Sequence, residues 1–424
     1  MSVDLGEFGV ARDTASGELM MEEVSLAAVA ARYGTPCFVY SQAALTLAFR
    51  LLDDAMKAAR GARPYLLCYA VKANSNLAVL NLFARLGAGF DIVSGGELQR
   101  VLKAGGDARK VVFSGLGKTA VEMKLALAAG IKCFNVESEA ELDRLDRVAA
   151  SMGKRAKVSL RVNPDVDART HPYISTGLRN NKFGVAFDRA LAVYRKAATL
   201  PHIEIAGVDC HIGSQLTDDA PLREAMNRLV TLADLLKAEG IPIHHICPGG
   251  GIGIIYKDEA TIALDAYVQA LQASLGDRDM ELLLEPGRML VGNAGVLLTR
   301  VEYVKPTGTK NFLVVDAAMN DLIRPPLYQA YHEVVAVRGS IAPARVYDIA
   351  GPVCESSDVL AHERLLRAQE GDLMAILSAG AYSFVMSSNY NTRPRAPEVM
   401  IAGAAMREVR ARETFDTLVA GESI

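Results

Sequence analysis

Between about residue 37 and residue 290 the chain repeats one unit: a short apolar, β-branched run, a polar turn, then an amphipathic stretch. Apolar runs of this length bounded by turn residues predict strands, and the periodic stretches between them predict helices. The runs fall at Tyr65–Ala73, Phe90–Ser94, Val111–Gly115, Cys133–Glu137, Lys157–Asn163, Ile203–Ile212, His244–Pro248 and Glu281–Pro286. The first four begin slightly over twenty residues apart, the length of one strand-plus-helix unit. Helix starts are written into the loops, since Ser94–Glu97, Thr119–Glu122 and Ser138–Glu141 each read S/T-x-x-E. In this capping box the hydroxyl and the glutamate satisfy backbone N–H groups left over at a helix start. Eight such repeats suggest a (β/α)8 barrel. A doubly wound open sheet would alternate in the same way, but no GxGxxG fingerprint follows the first strand.

Past residue 290 the texture changes. Short apolar runs at Val296–Val304, Phe312–Asp316, Ala344–Ile349 and Asp372–Leu377 are broken by Gly, Pro, Asn and Asp, which reads as a β-rich domain. Amphipathic helix pattern is scarce there apart from Ala361–Ala368. Residues 1–36 are too short for a domain and are expected to pack with it. The fold class is therefore α/β: a TIM barrel over residues 37–290, and a C-terminal β-sandwich or barrel-like domain from residues 1–36 and 291–424. The stretch Ala43–Arg60 reads as ordinary barrel covering.

The length of 424 residues suits two or three domains. Half the residues are hydrophobic and 22% are charged, which excludes a disordered chain. A net charge of −3 without a basic block speaks against a nucleic-acid binder. No uncharged apolar run approaches the ~18–20 residues of a membrane helix, and the N-terminus shows no signal or transit peptide pattern. The six cysteines (Cys37, Cys68, Cys133, Cys210, Cys247 and Cys354) are scattered singly, so buried filler in a reducing cytoplasm is expected, with no metal site.

Catalytic groups of such a barrel lie at the C-terminal ends of its strands. The first strand ends in Lys72, either a snorkelling surface lysine or a desolvated amine suited to a Schiff base. The second is followed by Asp91 and Ser94, and Asp91 could be a loop cap. The sixth ends in His211 and Ser214, a pair suited to covering a ring and donating to an oxyanion. The seventh runs into Gly249–Gly253, where backbone N–H groups can converge on a phosphate. The eighth ends in Glu285-Pro-Gly-Arg288, a carboxylate and a guanidinium, which could also be a surface ion pair. Together a lysine, a histidine, a phosphate loop and a carboxylate for a pyridinium nitrogen describe pyridoxal 5'-phosphate.

These residues resemble the alanine-racemase-like (fold type III) pyridoxal phosphate-dependent decarboxylases, most closely the branch acting on meso-diaminopimelate. The matching stretches are YAVKAN around Lys72, GFDIVSGGEL around Asp91, HPYISTGLRNNKFG from His171, HIGSQ at His211, GGGIG at Gly249, EPGR at Glu285, LIRPPLYQAYH from Leu322, GPVCESSD from Gly351 and GAYSFVMSSNYN from Gly380. They occur in order over nearly the whole chain. Pro248 departs from the pattern before the glycine run, as do Pro326 and Gln329 inside the arginine–tyrosine motif, and no functional group is lost.

The resemblance implies decarboxylation of meso-2,6-diaminopimelate to L-lysine and CO2, the last step of lysine biosynthesis. It also implies roles for single residues. Lys72 would hold the cofactor covalently, Asp91 would contact it, and His211 would stack on its ring. Ser214, Gly250, Gly251 and the loop of Gly287 and Arg288 would hold its phosphate, and Glu285 would face its ring nitrogen. Arg288, Arg324, Tyr328 and Glu355 would bind the distal end of the substrate, Cys354 would donate a proton, and Tyr382 would touch cofactor and substrate. A homodimer is implied, with Cys354 and Glu355 supplied by the partner subunit.

A distal carboxylate suits the guanidinium forks of Arg288 and Arg324, and a distal amine suits Glu355. Ornithine or arginine would leave those arginines repelling a cation. Three other readings stay open: a decarboxylase of another diamino acid or a derivatised one, a non-catalytic cofactor-binding paralogue, which would be expected to lack Lys72 or Cys354 although both are present here, and a sugar-phosphate barrel enzyme without pyridoxal.

Overall fold

The computed structural model describes Gly6 and residues 9–167 and 182–424. The chain forms two compact units. One comprises Phe49–Gly253 and Ala260–Gly287; the other comprises the residues up to Ala48, Ile254–Glu259 and Arg288–Ile424.

The first unit is a closed parallel barrel of eight strands: β1 (Tyr65–Ala70), β2 (Gly89–Ile92), β3 (Val111–Phe113), β4 (Cys133–Val136), β5 (Ala156–Asn163), β6 (Ile203–Asp209), β7 (His245–Cys247) and β8 (Glu281–Leu284). Each pairs with the next, and β8 closes on β1 through Leu282–Tyr65, Leu283–Leu66 and Leu284–Leu67. All eight expected strands are present. They are short and almost wholly buried, as parallel strands covered on both sides must be. Cys68, Val112, Cys133, Cys247 and Leu283 form one apolar cluster within the barrel; Cys37 and Cys210 are buried as well, and only Cys354 is exposed.

Ser94, Thr119 and Ser138 each cap a helix by accepting the N–H three residues on. Only Thr119–Glu122 closes the reciprocal box. Glu97 and Glu141 reach one residue further back, to the N–H groups of Val93 (2.7 Å) and Glu137 (3.1 Å). Glu141 also accepts from Lys118 at 2.7 Å.

The second unit is built on a long antiparallel strand, Gly295–Pro306, flanked by Asn311–Val315, Cys37–Ser41 and Leu373–Ile376. Cys37–Ser41 also pairs in parallel with Glu398–Ala402. The repeat pattern placed residues 37–48 with the barrel, but here they belong to the β-rich unit. Val39 joins Val296, Leu298, Val399 and Ile401 in its core, so an apolar run bounded by turns served a different sheet. Ala361–Ala368 corrects the sequence reading more sharply. It lies not in a helix but mostly in the strand Val359–Arg367, antiparallel to Ala344–Ala350, with the exposed Leu365 opposite the exposed Val346. Ladder pairing has overridden its helix-like spacing. Three short strands between Ala11 and Ser25 and the helix Leu26–Tyr33, capped by Ser25, complete the unit. Among the described residues no helix is long and apolar enough to cross a membrane.

Candidate active site

The barrel gathers its chemistry where the strands end. Directly after β1 the chain makes one tight turn, Val71–Ala73, and the Tyr69 hydroxyl pins it by donating to the Asn74 carbonyl at 2.8 Å. The turn presents Lys72, whose Nζ donates to Asp91 Oδ2 at 2.9 Å. Asp91 lies in β2 and is completely buried, whereas 34% of the Lys72 side chain remains exposed. The lysine is thus anchored from below and accessible from above. Its partner's other oxygen, Asp91 Oδ1, is buried without a hydrogen bond.

Glu285 follows β8. Asn135 of β4 donates from Nδ2 to Glu285 Oε1 at 3.2 Å and to Ser114 Oγ at 3.0 Å. Asp209 ends β6 and Cys247 ends β7, and their side-chain ligand atoms and that of Glu285 all lie within 4.8 Å of one another. Burial, reinforced by Asp91 and Asp209, pushes the Glu285 carboxyl well above its ordinary range. Burial likewise raises Asp209 to about 7. Arg161 is engaged with Glu137 at 3.1 Å, and Lys72 with Asp91. Neither Asp209 nor Glu285 forms an ion pair among the described residues. The pocket therefore carries more carboxylate than cation, and a protonated ring nitrogen is a group that would balance it.

His211 lies beside this pocket. Burial and the nearby Lys72 and Arg161 cations hold its pKa well below the imidazole range, so it presents a neutral ring. The Gly250 N–H points at its Nδ1 across 3.4 Å. The glycine loop is tightly constrained: a Cβ on Gly250 would sit 2.0 Å from the Glu285 carbonyl oxygen, and one on Gly251 would sit 2.4 Å from that of Gly213. Gly251 also has φ +107°, a conformation that favours glycine. Only bare backbone fits at these two positions, as close approach of a phosphate requires. Ser214 is partly buried beside this loop and Gly287 is buried. The surplus of carboxyl groups over cations and the glycine cradle both fit pyridoxal phosphate.

The β-rich unit holds a second cluster. Tyr256 lies between two buried guanidinium groups: Arg324 stacks 4.6 Å from its ring centroid, and Arg288 donates to its hydroxyl at 2.5 Å. Arg288 also lies 4.9 Å over the ring of Tyr382, whose backbone has φ +54°, uncommon for a bulky residue. Arg324 opens the short helix Arg324–Tyr328, and its NH1 is 2.8 Å from His332 Nε2. Tyr328 is partly buried. Cys354 and Glu355 sit on an exposed turn, held by Asn391 Oδ1, which accepts from the Cys354 N–H at 2.9 Å, and by the Tyr390 hydroxyl, which donates to Glu355 at 2.6 Å.

Lys72, Asp91, His211, Glu285 and the glycines thus belong to the barrel unit. Arg288, Arg324, Tyr328, Tyr382, Cys354 and Glu355 belong to the β-rich unit. Residues 171–181, most of the HPYISTGLRNNKFG stretch, lie outside the described residues. Four participants escaped the sequence reading: Asn135, Asp209, Tyr256 and His332. Each has a strand-end or loop position, but no local pattern separates it from an ordinary polar residue. His332 at the end of LIRPPLYQAYH was the most accessible of them.

Known proteins resemble this chain over nearly its whole length. Residues 49–292 match the family described as pyridoxal-dependent decarboxylase, pyridoxal binding domain. A diaminopimelate decarboxylase of Pseudomonas aeruginosa is 59% identical over 407 residues, covering 96% of this chain and 97% of that protein. The diaminopimelate decarboxylase of Helicobacter pylori, solved with L-lysine, superposes with a TM-score of 0.89 at 41% identity, covering 93% of this chain and 98% of that one. The M. jannaschii diaminopimelate decarboxylase, also in complex with L-lysine, gives 0.93 at 36% identity over 99% and 98%. The chain belongs to the pyridoxal-dependent decarboxylases and, among them, to the diaminopimelate decarboxylase family.

Proposed function

We propose that the protein is a pyridoxal phosphate-dependent carboxy-lyase that converts meso-2,6-diaminopimelate to L-lysine and CO2. The observation that carries the reading is the buried, cation-poor carboxylate Glu285 beside a Lys72 amine anchored on Asp91. The names of the relatives supply the substrate.

Pyridoxal phosphate, when bound, provides an electron sink for the pair left on Cα as its carboxylate departs. The chain's own groups make that sink effective. Glu285, steadied by Asn135, keeps a proton on the ring nitrogen, where an arginine would not. Lys72 would supply the amine that holds the cofactor. His211 offers a neutral ring face, which adds no cation beside the departing carboxylate. The N–H groups of the Gly249–Gly253 loop, with Ser214, Gly287 and Arg288, hold the phosphate.

Arg288 and Arg324 take the distal carboxylate of the substrate, helped by Tyr328, and Glu355 takes its distal amine. Cys354 returns a proton to Cα. This exposed thiol and Glu355 act from the second subunit of a homodimer, Tyr382 completes the substrate contacts, and the enzyme works in the cytoplasm.

The test is CO2 release from meso-diaminopimelate by the pyridoxal-loaded protein. Turnover is expected in the wild type and is lost in Lys72→Ala, together with the visible absorbance of lysine-bound pyridoxal. Equal turnover by both would overturn the reading.

A further inference from the structure

Arg324 is a charge without a counter-charge. It is buried to within 6% of full enclosure, and no carboxylate among the described residues forms an ion pair with it. Burying an unpaired guanidinium is costly unless its N–H groups are satisfied. Two neutral groups do this work: the face of Tyr256 and the imidazole of His332.

The hydrogen bonds fix the state of that imidazole. A guanidinium has only donors, so Nε2 of His332 must be the acceptor at 2.8 Å. Nδ1 must then carry the proton, and it donates to the Leu377 carbonyl at 2.8 Å. The ring is fully buried, packs edge-on against Tyr256 at 5.3 Å, and faces the cations Arg324, Arg288 and Arg364. Burial and these cations push it down to about 3, so it stays neutral in any ordinary buffer.

We infer that His332 is a positioning residue for substrate choice: a neutral acceptor that orients Arg324 while leaving its whole positive charge for a substrate carboxylate. An aspartate or glutamate would orient the guanidinium equally well, but would consume that charge within the protein. A neutral acceptor satisfies the donor and leaves the electrostatic attraction available. The inference rests on the proposed function only in naming the distal carboxylate as the anion.

Three substitutions separate positioning from simple packing. His332→Gln keeps an acceptor and a donor, His332→Asp keeps an acceptor and adds a charge, and His332→Leu keeps neither. With meso-diaminopimelate, His332→Gln is expected to hold KM within about threefold, while His332→Asp and His332→Leu raise it about tenfold or more. Little change in kcat is expected, because binding common to ground and transition states is what is lost. Wild-type KM in His332→Asp, or an equal rise in His332→Gln, would overturn the inference, and thermal melting identifies a variant that fails to fold.

A second readout does not depend on substrate. In the 15N-histidine spectrum of the whole protein, the signal absent from His332→Gln should show an unprotonated Nε2 that does not titrate between about pH 5 and 8. A protonated Nε2, or titration in that range, would overturn the inference even if diaminopimelate were not the substrate. Failure of wild-type turnover together with this signature would instead sink the substrate reading alone.

Discussion

The Lys72 amine and the Asp91 carboxylate meet at 2.9 Å, with the aspartate side chain wholly enclosed and the lysine side chain one-third exposed. A buried carboxylate stripped of its cation is destabilising, by about 3–5 kcal/mol for fully buried pairs and less when one partner reaches solvent. Lys72→Met is therefore expected to lower stability by roughly 1–3 kcal/mol. Lys72→Met/Asp91→Leu should recover much of that loss. Urea denaturation of the cofactor-free proteins checks this, and simple additivity of the two single losses would show that the pair does not couple.

Asp209 and Glu285 set a pH dependence in the cofactor-free protein. An unfolded aspartate titrates near ~4, whereas folded Asp209 titrates at about 7 and Glu285 well above its usual value. Between these values the folded protein holds protons that the unfolded chain has released, so stability falls as pH rises. The melting temperature should drop by a few degrees between about pH 5 and 8. Asp209→Asn should flatten this slope, and an unchanged slope would separate it from Asp209.

Gly250 has no room for a methyl group, since the Glu285 carbonyl oxygen lies 2.0 Å from the Cβ position. Gly250→Ala must move either the glycine loop or the backbone of Glu285. Cofactor affinity should fall about tenfold or more, measured by fluorescence titration with pyridoxal phosphate, while the far-ultraviolet circular dichroism stays that of a folded barrel.

In the proposed mechanism Cys354 would act after the carboxylate has left. Cys354→Ala should reduce kcat by about 10²–10⁴-fold, the usual worth of a positioned general acid, without changing the absorbance of the bound cofactor. A rate equal to that of wild type would remove Cys354 from the mechanism.

How much of this was legible in the sequence depends on the range of each signal. The eight barrel strands were legible because each is a self-contained apolar run, and three of them are followed by an S/T-x-x-E helix start, as at Val111–Phe113 before Thr119. Cys37–Ser41 carries the same local pattern, but its partners lie more than 250 residues away, and nothing local marks that choice. Val359–Arg367 has helix-like spacing and is a strand only because Ala344–Ala350 pairs with it. Lys72 and Glu285 stood out as charges at the ends of apolar runs. Asp209, Tyr256 and His332 acquire meaning only from neighbours brought in by the fold, Glu285 for the first and Arg324 for the other two.

The most direct test of the central claim is a comparison of kcat/KM for CO2 release from meso-diaminopimelate, L-lysine, L-ornithine and L-arginine by the pyridoxal-loaded enzyme. A site whose buried guanidinium groups await a distal carboxylate should prefer diaminopimelate by about 10⁴-fold or more over the three substrates that lack one, and should yield lysine. Comparable rates on lysine or ornithine would contradict it, leaving the barrel and its cofactor chemistry in place but removing Arg288 and Arg324 as the groups that choose the substrate.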